Sequence, residues 1–309
     1  MKKMKLLTLS LTAFLAVNLN ALSLDEAVSI ALKNNFEIQG KNYDYLESLE
    51  NINSVNSNNL PKLDAVYGFT NTDKPNIGYE SDEAVASIAL SYNLFNGFKD
   101  ISLKESSKYL SLSSQHGLNA TKQDIVLNTK TAYINYLDKK NALETYNSAY
   151  ILFQEQYEDS KHRYEQGLIA KNDLLQVQVN MSNAKQNVVK AQGDLKISSF
   201  TLSNILGGMD LSKEKIEDLD EKSLQSFTYN EELLENRSEI QALLLNLKSI
   251  KELEKSTNSG YYPKIDATVS HNKYFDELSK KVEDKQENQN IAKINATWNL
   301  YNGGYDSSQ

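Results

Sequence analysis

Residues 84–97 read AVASIALSYNLFNG, and this stretch predicts the β part of the fold. Apolar or aromatic residues occupy every second position, and the residues between them are mostly small or polar. The alternating positions are Ala84, Ala86, Ile88, Leu90, Tyr92 and Leu94. A period of two is typical of a β-strand with one apolar and one polar face. Strands of about 9 to 11 residues are long enough to cross a lipid bilayer when tilted.

Three further stretches alternate in the same way. They are Leu63, Ala65, Tyr67 and Phe69; Ile265, Ala267 and Val269; and Ala292, Ile294, Ala296, Trp298 and Leu300. Polar loops at 71–83 and 273–289 join the strands in pairs. Each half of the chain therefore predicts one β-hairpin, over residues 62–96 and 264–302.

Two interpretations of these hairpins remain open at this point. The hairpins either pack on a soluble core or face lipid. A single hairpin is not stable alone, and four strands are too few for a barrel that spans a membrane, since the smallest has about eight. If the strands cross a membrane, several chains must share one barrel.

The chain contains a long internal repeat. Residues 34–68 align with residues 236–270 at a constant offset of 202, with 12 identities. Further along, residues 92–97 align with residues 298–303 at an offset of 206. A period this long does not fit a solenoid, so it indicates two related halves of one architecture.

The two halves differ in length. We expect a first repeat over 22–207, a linker over 208–231 and a second repeat over 232–309. Helical pattern follows Gly97 for more than 100 residues, whereas only six residues follow Gly303. This asymmetry predicts that the chain is C-terminally truncated and lacks a second helical hairpin.

After the first predicted β-hairpin, the sequence pattern becomes helical. Residues 98–206 predict a long helical hairpin, and the stretch from Phe98 to about Gln166 contains no proline. A helix of that length measures about 100 Å. Two sets of residues follow coiled-coil spacing. They are Leu143, Tyr146, Tyr150, Phe153, Tyr157, Ser160 and Tyr164, and Leu174, Val177, Met181, Ala184, Val188, Ala191, Leu195, Ser198, Leu202 and Ile205.

A short turn, Gly167-Leu168-Ile169-Ala170, separates the two helical patterns. Glycine suits the left-handed conformation at a helix end, and Asn172 or Asp173 can cap the first turn of the next helix. The turn predicts an antiparallel hairpin whose tip exposes two apolar residues. Such a tip is either a docking surface or an ordinary turn.

The N-terminus predicts an exported protein. Lysines at positions 2, 3 and 5 precede an apolar stretch over Leu6–Leu19, which is too short to span a membrane but typical of a signal peptide. We expect residues 1–21 to be removed near Ala21.

Composition and motifs exclude several classes of function. The net charge is −8, which disfavours a nucleic-acid partner, and there is no cysteine for a disulfide or a lipid anchor. The three histidines (116, 162 and 271) lie far apart, and no catalytic motif occurs. We therefore expect no enzyme activity, no catalytic residue, no metal and no cofactor.

These features together resemble the TolC-type outer-membrane efflux protein family. The stretches that carry the resemblance are Ser23–Ala27, Ala31–Asn35, Leu60–Leu63, Leu94–Gly97, Arg163–Gln176, Leu206–Gly208 and Asn236–Ile240. The resemblance extends over the whole chain after the signal peptide. It rests on the order, spacing and duplication of these stretches rather than on one decisive motif.

The resemblance implies a mainly α fold, with a long α-helical coiled-coil barrel forming a periplasmic tunnel. Four strands per chain would contribute to a β-barrel shared by a homotrimer in outer-membrane lipid. The implied function is a passive exit duct of a tripartite efflux or type I secretion system. A periplasmic adaptor would connect it to an inner-membrane pump. The implied docking tip comprises Arg163, Gly167, Leu168, Ile169 and Ala170.

Two other functions stay open on the sequence alone. One is a periplasmic coiled-coil adaptor, although adaptors lack paired amphipathic hairpins that face lipid. The other is a structural coiled-coil protein of the envelope, such as a scaffold or adhesin. For a duct, the acidic composition favours a lining that prefers cations, but composition does not reveal which charges face the lumen.

Overall fold

A computed structural model of the chain describes residues 21–73, 82–219, 236–275 and 288–304. The helices within these ranges are α1 (Leu24–Asn34), α2 (Phe36–Ser57), α3 (Lys99–Glu165), α4 (Lys171–Ile205) and α5 (Ser238–Thr257). The strands are β1 (Lys62–Asn71), β2 (Asp82–Asn96), β3 (Lys264–Tyr274) and β4 (Asn288–Thr297). The predicted signal peptide, the loops between paired strands and the second part of the predicted linker lie outside the described residues.

The chain divides into two compact units. A hairpin unit comprises Met1–Phe36 and Gln123–Phe227, and a sheet unit comprises Glu37–Lys122 and Thr228–Gln309. Helix α3 has 67 residues and contributes to both. It continues without a break through Gly117, so this glycine does not interrupt the helix.

The predicted coiled-coil seam of α4 is confirmed by burial. Its ten seam residues are all buried or half-buried, and most residues between them are exposed. The seam of α3 near the turn is half-buried except at Tyr146 and Tyr164, which are 42% and 39% exposed. Regular 3–4 spacing places these apolar residues on one side of each helix, which is what two packed helices require.

The buried centre of the hairpin unit is Tyr133 on α3, whose side chain is fully buried. Its hydroxyl lies within hydrogen-bond distance of the backbone carbonyl oxygens of Leu22 (2.8 Å) and Glu217 (2.6 Å), which share its single proton. These two carbonyls belong to a short parallel bridge, in which Leu22 also bonds to Lys215 and Glu217. One phenol therefore joins the first described residues to the segment that follows α4.

The sheet unit contains one antiparallel sheet in the order β1-β2-β3-β4. Paired positions include Leu63 with Leu90 and Leu90 with Val269. This register aligns the apolar positions of neighbouring strands on one face of the sheet. The internal repeat is visible here, because β1 and β3 begin 202 residues apart, as the sequence repeat predicts.

Hydroxyl groups occupy the contacts between the helices of the sheet unit. Ser48 on α2 bonds to Ser111 on α3 (3.1 Å), and Ser106 on α3 contacts Ser249 on α5 (3.0 Å). Ser113 donates to a backbone carbonyl of α5 at 2.7 Å. Small side chains allow close approach of helices, so this seam differs from the leucine and alanine seam of α4.

The predicted fourth strand is too long at its C-terminal end. The alternation was expected to continue through Trp298 and Leu300, but β4 ends at Thr297. Thr297 pairs with Lys264, the first residue of β3, so no described neighbouring strand extends further. The indole of Trp298 instead donates to the carbonyl of Tyr261 at 3.2 Å.

Replacing Tyr133 by phenylalanine removes the hydroxyl from both carbonyls without changing the ring. We expect the free energy of unfolding of the hairpin unit to fall by about 1–3 kcal/mol. Thermal melting of the helical circular dichroism signal measures this. Tyr146→Phe is the control, because Tyr146 is 42% exposed and should melt as the parent chain does.

The difference in stability between the parent chain and Tyr133→Phe should also depend on pH. Burial raises the pKa of Tyr133 to about 12, and the nearby carboxylates of Glu217 and Asp218 add to the effect. Because the unfolded phenol ionises near 10, the hydroxyl's stabilisation is complete below pH 10 and is lost between pH 10 and 12. The difference in melting temperature between the parent and Tyr133→Phe should shrink over that window; a constant difference would contradict this account.

Candidate functional site: two sheet faces and a hairpin tip

One face of the sheet is apolar and lacks a cover in the described chain. Residues of this apolar face are strongly exposed: Leu63 (71%), Tyr67 (66%), Phe69 (55%), Ile88 (54%), Leu90 (46%), Val269 (56%) and Ile294 (75%). Alternation aims these side chains to one side, and the register aligns them across four strands. An exposed apolar patch of this kind marks an interaction with a partner or with lipid.

The height of the apolar face fits a membrane. The apolar positions of β2 extend from Ala84 to Leu94, about 34 Å along a strand. Tilted by about 45°, such a strand spans about 24 Å, close to the apolar band of about 25 Å in outer-membrane barrels. Aromatic rings lie near both ends, with Tyr67 against Phe275 (6.0 Å) and Phe98 against Tyr262 (5.6 Å).

The opposite face is polar and internally bonded. Ser87 donates to Asn272 at 2.7 Å, and Asn93 donates to Asp266 at 2.8 Å. Asp266 also forms an ion pair with Lys264 at 3.0 Å. The two hydrogen bonds join β2 to β3 at paired register positions, whereas the ion pair lies within β3, so the polar face is both hydrophilic and internally bonded.

A cleft of about 990 Å³ opens on this polar face, at the end of the sheet that adjoins the helices. Its lining includes Lys62, Lys99 and Lys264 together with Asp100 and Asp266. The remaining lining is largely asparagine, serine and threonine. Water-filled passages are lined in this way, whereas pockets for drug-sized ligands are mostly apolar.

The hairpin tip brings the predicted residues together. Helix α3 ends in a Schellman motif, in which Leu168 donates to the Arg163 carbonyl (2.8 Å) and Gly167 donates to the Tyr164 carbonyl (2.9 Å). Gly167 has φ +75°, as the sequence predicts for a left-handed helix end. On the other side, the backbone N–H of Ala170 donates to the carboxylate of Asp173 at 3.3 Å.

The tip exposes both apolar and charged side chains. Leu168 is 67% exposed, Ile169 is half-buried and Ala170 is exposed. Arg163 pairs with Asp159 at 2.9 Å, with both side chains 60% exposed, so this ion pair adds little stability. All five predicted tip residues therefore belong to one turn. The tip therefore combines an exposed apolar side chain, Leu168, with a cationic side chain, Arg163, beside it.

Sequence reasoning missed the polar network and the cleft. Alternation marked Asn93 and Asp266 only as residues of the polar face. Their pairing depends on the register between β2 and β3, which lie more than 150 residues apart in sequence. The sequence repeat contained two signals of the cleft, Lys62 and Lys264. Each of these lysines follows a proline at the start of equivalent strands.

Other chemistry is sparse in the described part of the chain. No group of three or more metal-ligating side chains occurs among the described residues. His271 contacts Asn290 at 2.7 Å, and His162 lies 3.6 Å from Glu165 on the exposed surface of α3. Among the described helices, none is both long and apolar enough to span a bilayer.

Taken with the long helical hairpin, a sheet with one exposed apolar face and one polar face defines the class: a protein of the bacterial envelope. The sequence model of the family described as "Outer membrane efflux protein" matches residues 27–208, more than half of the chain. The chain belongs to this family. Its location is the bacterial outer membrane, with a periplasmic helical part, and the related proteins are channels rather than enzymes.

Individual relatives agree with the family. Outer membrane protein TolC of Escherichia coli (strain K12) is 24% identical, over 98% of this chain and 64% of TolC. TolC of Vibrio cholerae is 25% identical, over 84% of this chain and 61% of that protein. The chain thus spans a little under two thirds of the length of these curated relatives.

Solved structures show the same fold. The Campylobacter jejuni CmeC outer membrane channel superposes with a TM-score of 0.80 at 20% sequence identity. The match covers 92% of this chain and 63% of CmeC. The predicted fold class, mainly helical with a four-stranded contribution to a barrel, is confirmed.

The turn at the tip predicts a specific response to substitution. A Cβ at Gly167 meets no atom within 4 Å, so only the positive φ opposes a side chain. Asparagine tolerates this conformation and a β-branched residue does not. We expect Gly167→Asn to leave the melting temperature of the helices nearly unchanged, and Gly167→Val to destabilise the turn by about 1–2 kcal/mol. Equal melting of the two variants would show that the turn is not held in this conformation.

Proposed function

We propose that this chain forms part of a trimeric exit duct in the outer membrane, a passive channel to which a partner supplies energy. The observation that carries the proposal is the sheet with an uncovered apolar face and a polar opposite face. In a bilayer the apolar face contacts lipid, and the polar face then lines a water-filled lumen. Similarity to the TolC and CmeC channels supports this reading.

The number of chains follows from the strands. The described sheet has four strands, and β1 and β4 are its edges. Unpaired edges are not tolerated in lipid, so each must pair with another strand. Two copies would give a barrel of about eight strands, whose interior is filled by side chains, whereas three give about twelve and leave a lumen.

We further propose that the tip docks a periplasmic adaptor, which connects the duct to an inner-membrane pump. This arrangement is that of a tripartite efflux or type I secretion system. The exposed Leu168 next to Arg163 supplies an apolar contact with a cation at its border, a combination typical of interface centres.

Cysteine labelling tests the orientation of the sheet, because the chain contains no cysteine. Leu90 and Ser91 are successive residues of β2 on opposite faces. In outer-membrane vesicles, Ser91→Cys should react with a small membrane-impermeant maleimide. Leu90→Cys should react only with a lipid-soluble one. Equal or reversed reactivity would refute the assignment of the two faces.

Substitution of the tip tests docking. Leu168→Asp places a charge at the proposed contact and should weaken adaptor binding by about 2 kcal/mol or more, roughly 30-fold. Binding of the chromosomally encoded adaptor to the purified outer-membrane trimer measures this. Leu152→Asp is the control, because Leu152 is 63% exposed on α3 but lies away from the tip. Unchanged affinity in Leu168→Asp would exclude this tip from the interface.

A further inference from the structure

The register of the sheet places two lysines in one cross-strand row. Lys62 on β1 pairs with Ser91 on β2, Ser91 pairs with Thr268 on β3, and Thr268 pairs with Lys293 on β4. All four positions belong to the polar face. The row therefore begins and ends with a cation, and its middle is neutral.

The neighbouring rows do not cancel this charge. In the row nearer the helices Asp266 pairs with Asn93, and its carboxylate already contacts Lys264 at 3.0 Å. In the row above, Asp64 is two positions from Lys62 on the same strand and the same face. In these rows the polar face carries three lysines and two aspartates.

Within the described residues, the two lysines of the row have no charged partner. Both Lys62 and Lys293 are exposed, and neither forms an ion pair with a described residue. They lie on β1 and β4, the two edges of the sheet. In a barrel shared between copies, Lys293 of one chain and Lys62 of the next would flank each seam.

We infer that this lysine row, Lys62 and Lys293 with Lys264 below it, forms an anion-attracting zone in the lumen where the barrel meets the helices. The inference rests on the proposed duct and names the charge class that its barrel favours: solutes carrying carboxylate, sulfonate or phosphate groups. The zone has the opposite sign to the whole chain, whose net charge is −8.

The arrangement of several chains around one lumen strengthens the effect of this local excess of positive charge. Each chain adds three cations and two anions to the zone, so a trimer repeats the excess around one lumen. Rings of charged side chains set ion selectivity in pores. The surrounding lipid has a low dielectric constant and focuses the field into the lumen, which raises the local concentration of counter-ions.

Reversal potentials in a KCl gradient test the zone, with the trimer incorporated in a planar bilayer. In Lys62→Gln/Lys293→Gln the permeability ratio of chloride to potassium should fall about two- to threefold. Asp64→Asn should raise this ratio. Lys273→Gln is the matched control, because Lys273 lies on β3 but on the apolar face, opposite Ala86, and should leave the ratio unchanged.

A second measurement does not depend on the lysine variants assembling. Ser91→Cys lies in the row, and its reaction rates with a sulfonate-bearing and a trimethylammonium-bearing methanethiosulfonate can be compared. The anionic-to-cationic rate ratio should exceed that of a small free thiol in the same buffer, and should decrease as salt is added.

The outcomes separate the two proposals. Absence of conductance in the parent chain would refute the duct and the zone together. Conductance with the same permeability ratio in parent and lysine variant, or a Ser91→Cys rate ratio no higher than that of the free thiol, would overturn the zone alone. A lower ratio in the lysine variant and a higher ratio in Asp64→Asn would establish it.

Discussion

The structure depends on one constraint: the sheet has an apolar face that the described chain does not cover. Burying apolar surface is the main favourable term in folding, and a water-exposed sheet of this kind would aggregate. In the proposed duct, lipid covers the apolar face and further copies of the chain pair with the edge strands β1 and β4. The polar network between Asn93 and Asp266 then faces a lumen. The proposed assembly and the proposed channel character both depend on this one surface.

The helical part satisfies its backbone in water and uses different chemistry. Its seams combine small and large side chains, such as Ala184 and Leu202 on α4, which are both buried. In the sheet unit, serines take the place of larger groups, and contacts such as Ser106 with Ser249 bring helices close together. In the hairpin unit, Tyr133 bonds two carbonyls that are distant in sequence. Small and hydroxyl-bearing side chains therefore suit close contacts between long helices.

Regular patterns were predictable because they depend on local geometry. The period of two in β2, the 3–4 spacing in α4 and the glycine at the helix end were each read correctly from neighbouring residues. The repeat also predicted where β3 begins. The strand end at Thr297 was not predictable, because a strand stops where its partner stops, and the alternation continued past that point to Leu300. The role of Tyr133 was also not predictable, because in the sequence Tyr133 is only one residue of a long helical stretch.

By itself the sequence determined the elements, their order, the duplication and the family resemblance, because periodicity and turn chemistry are local. It also indicated five residues that the structure finds in a single turn. Only the tertiary structure decided which charged residues meet. Composition favoured an acidic lining, but the register of β1 to β4 aligns Lys62 with Lys293 in one row and pairs Asp266 with Asn93. Net charge is a sum over the chain, whereas the field in a lumen depends on which side chains point into it, and the strand register fixes that.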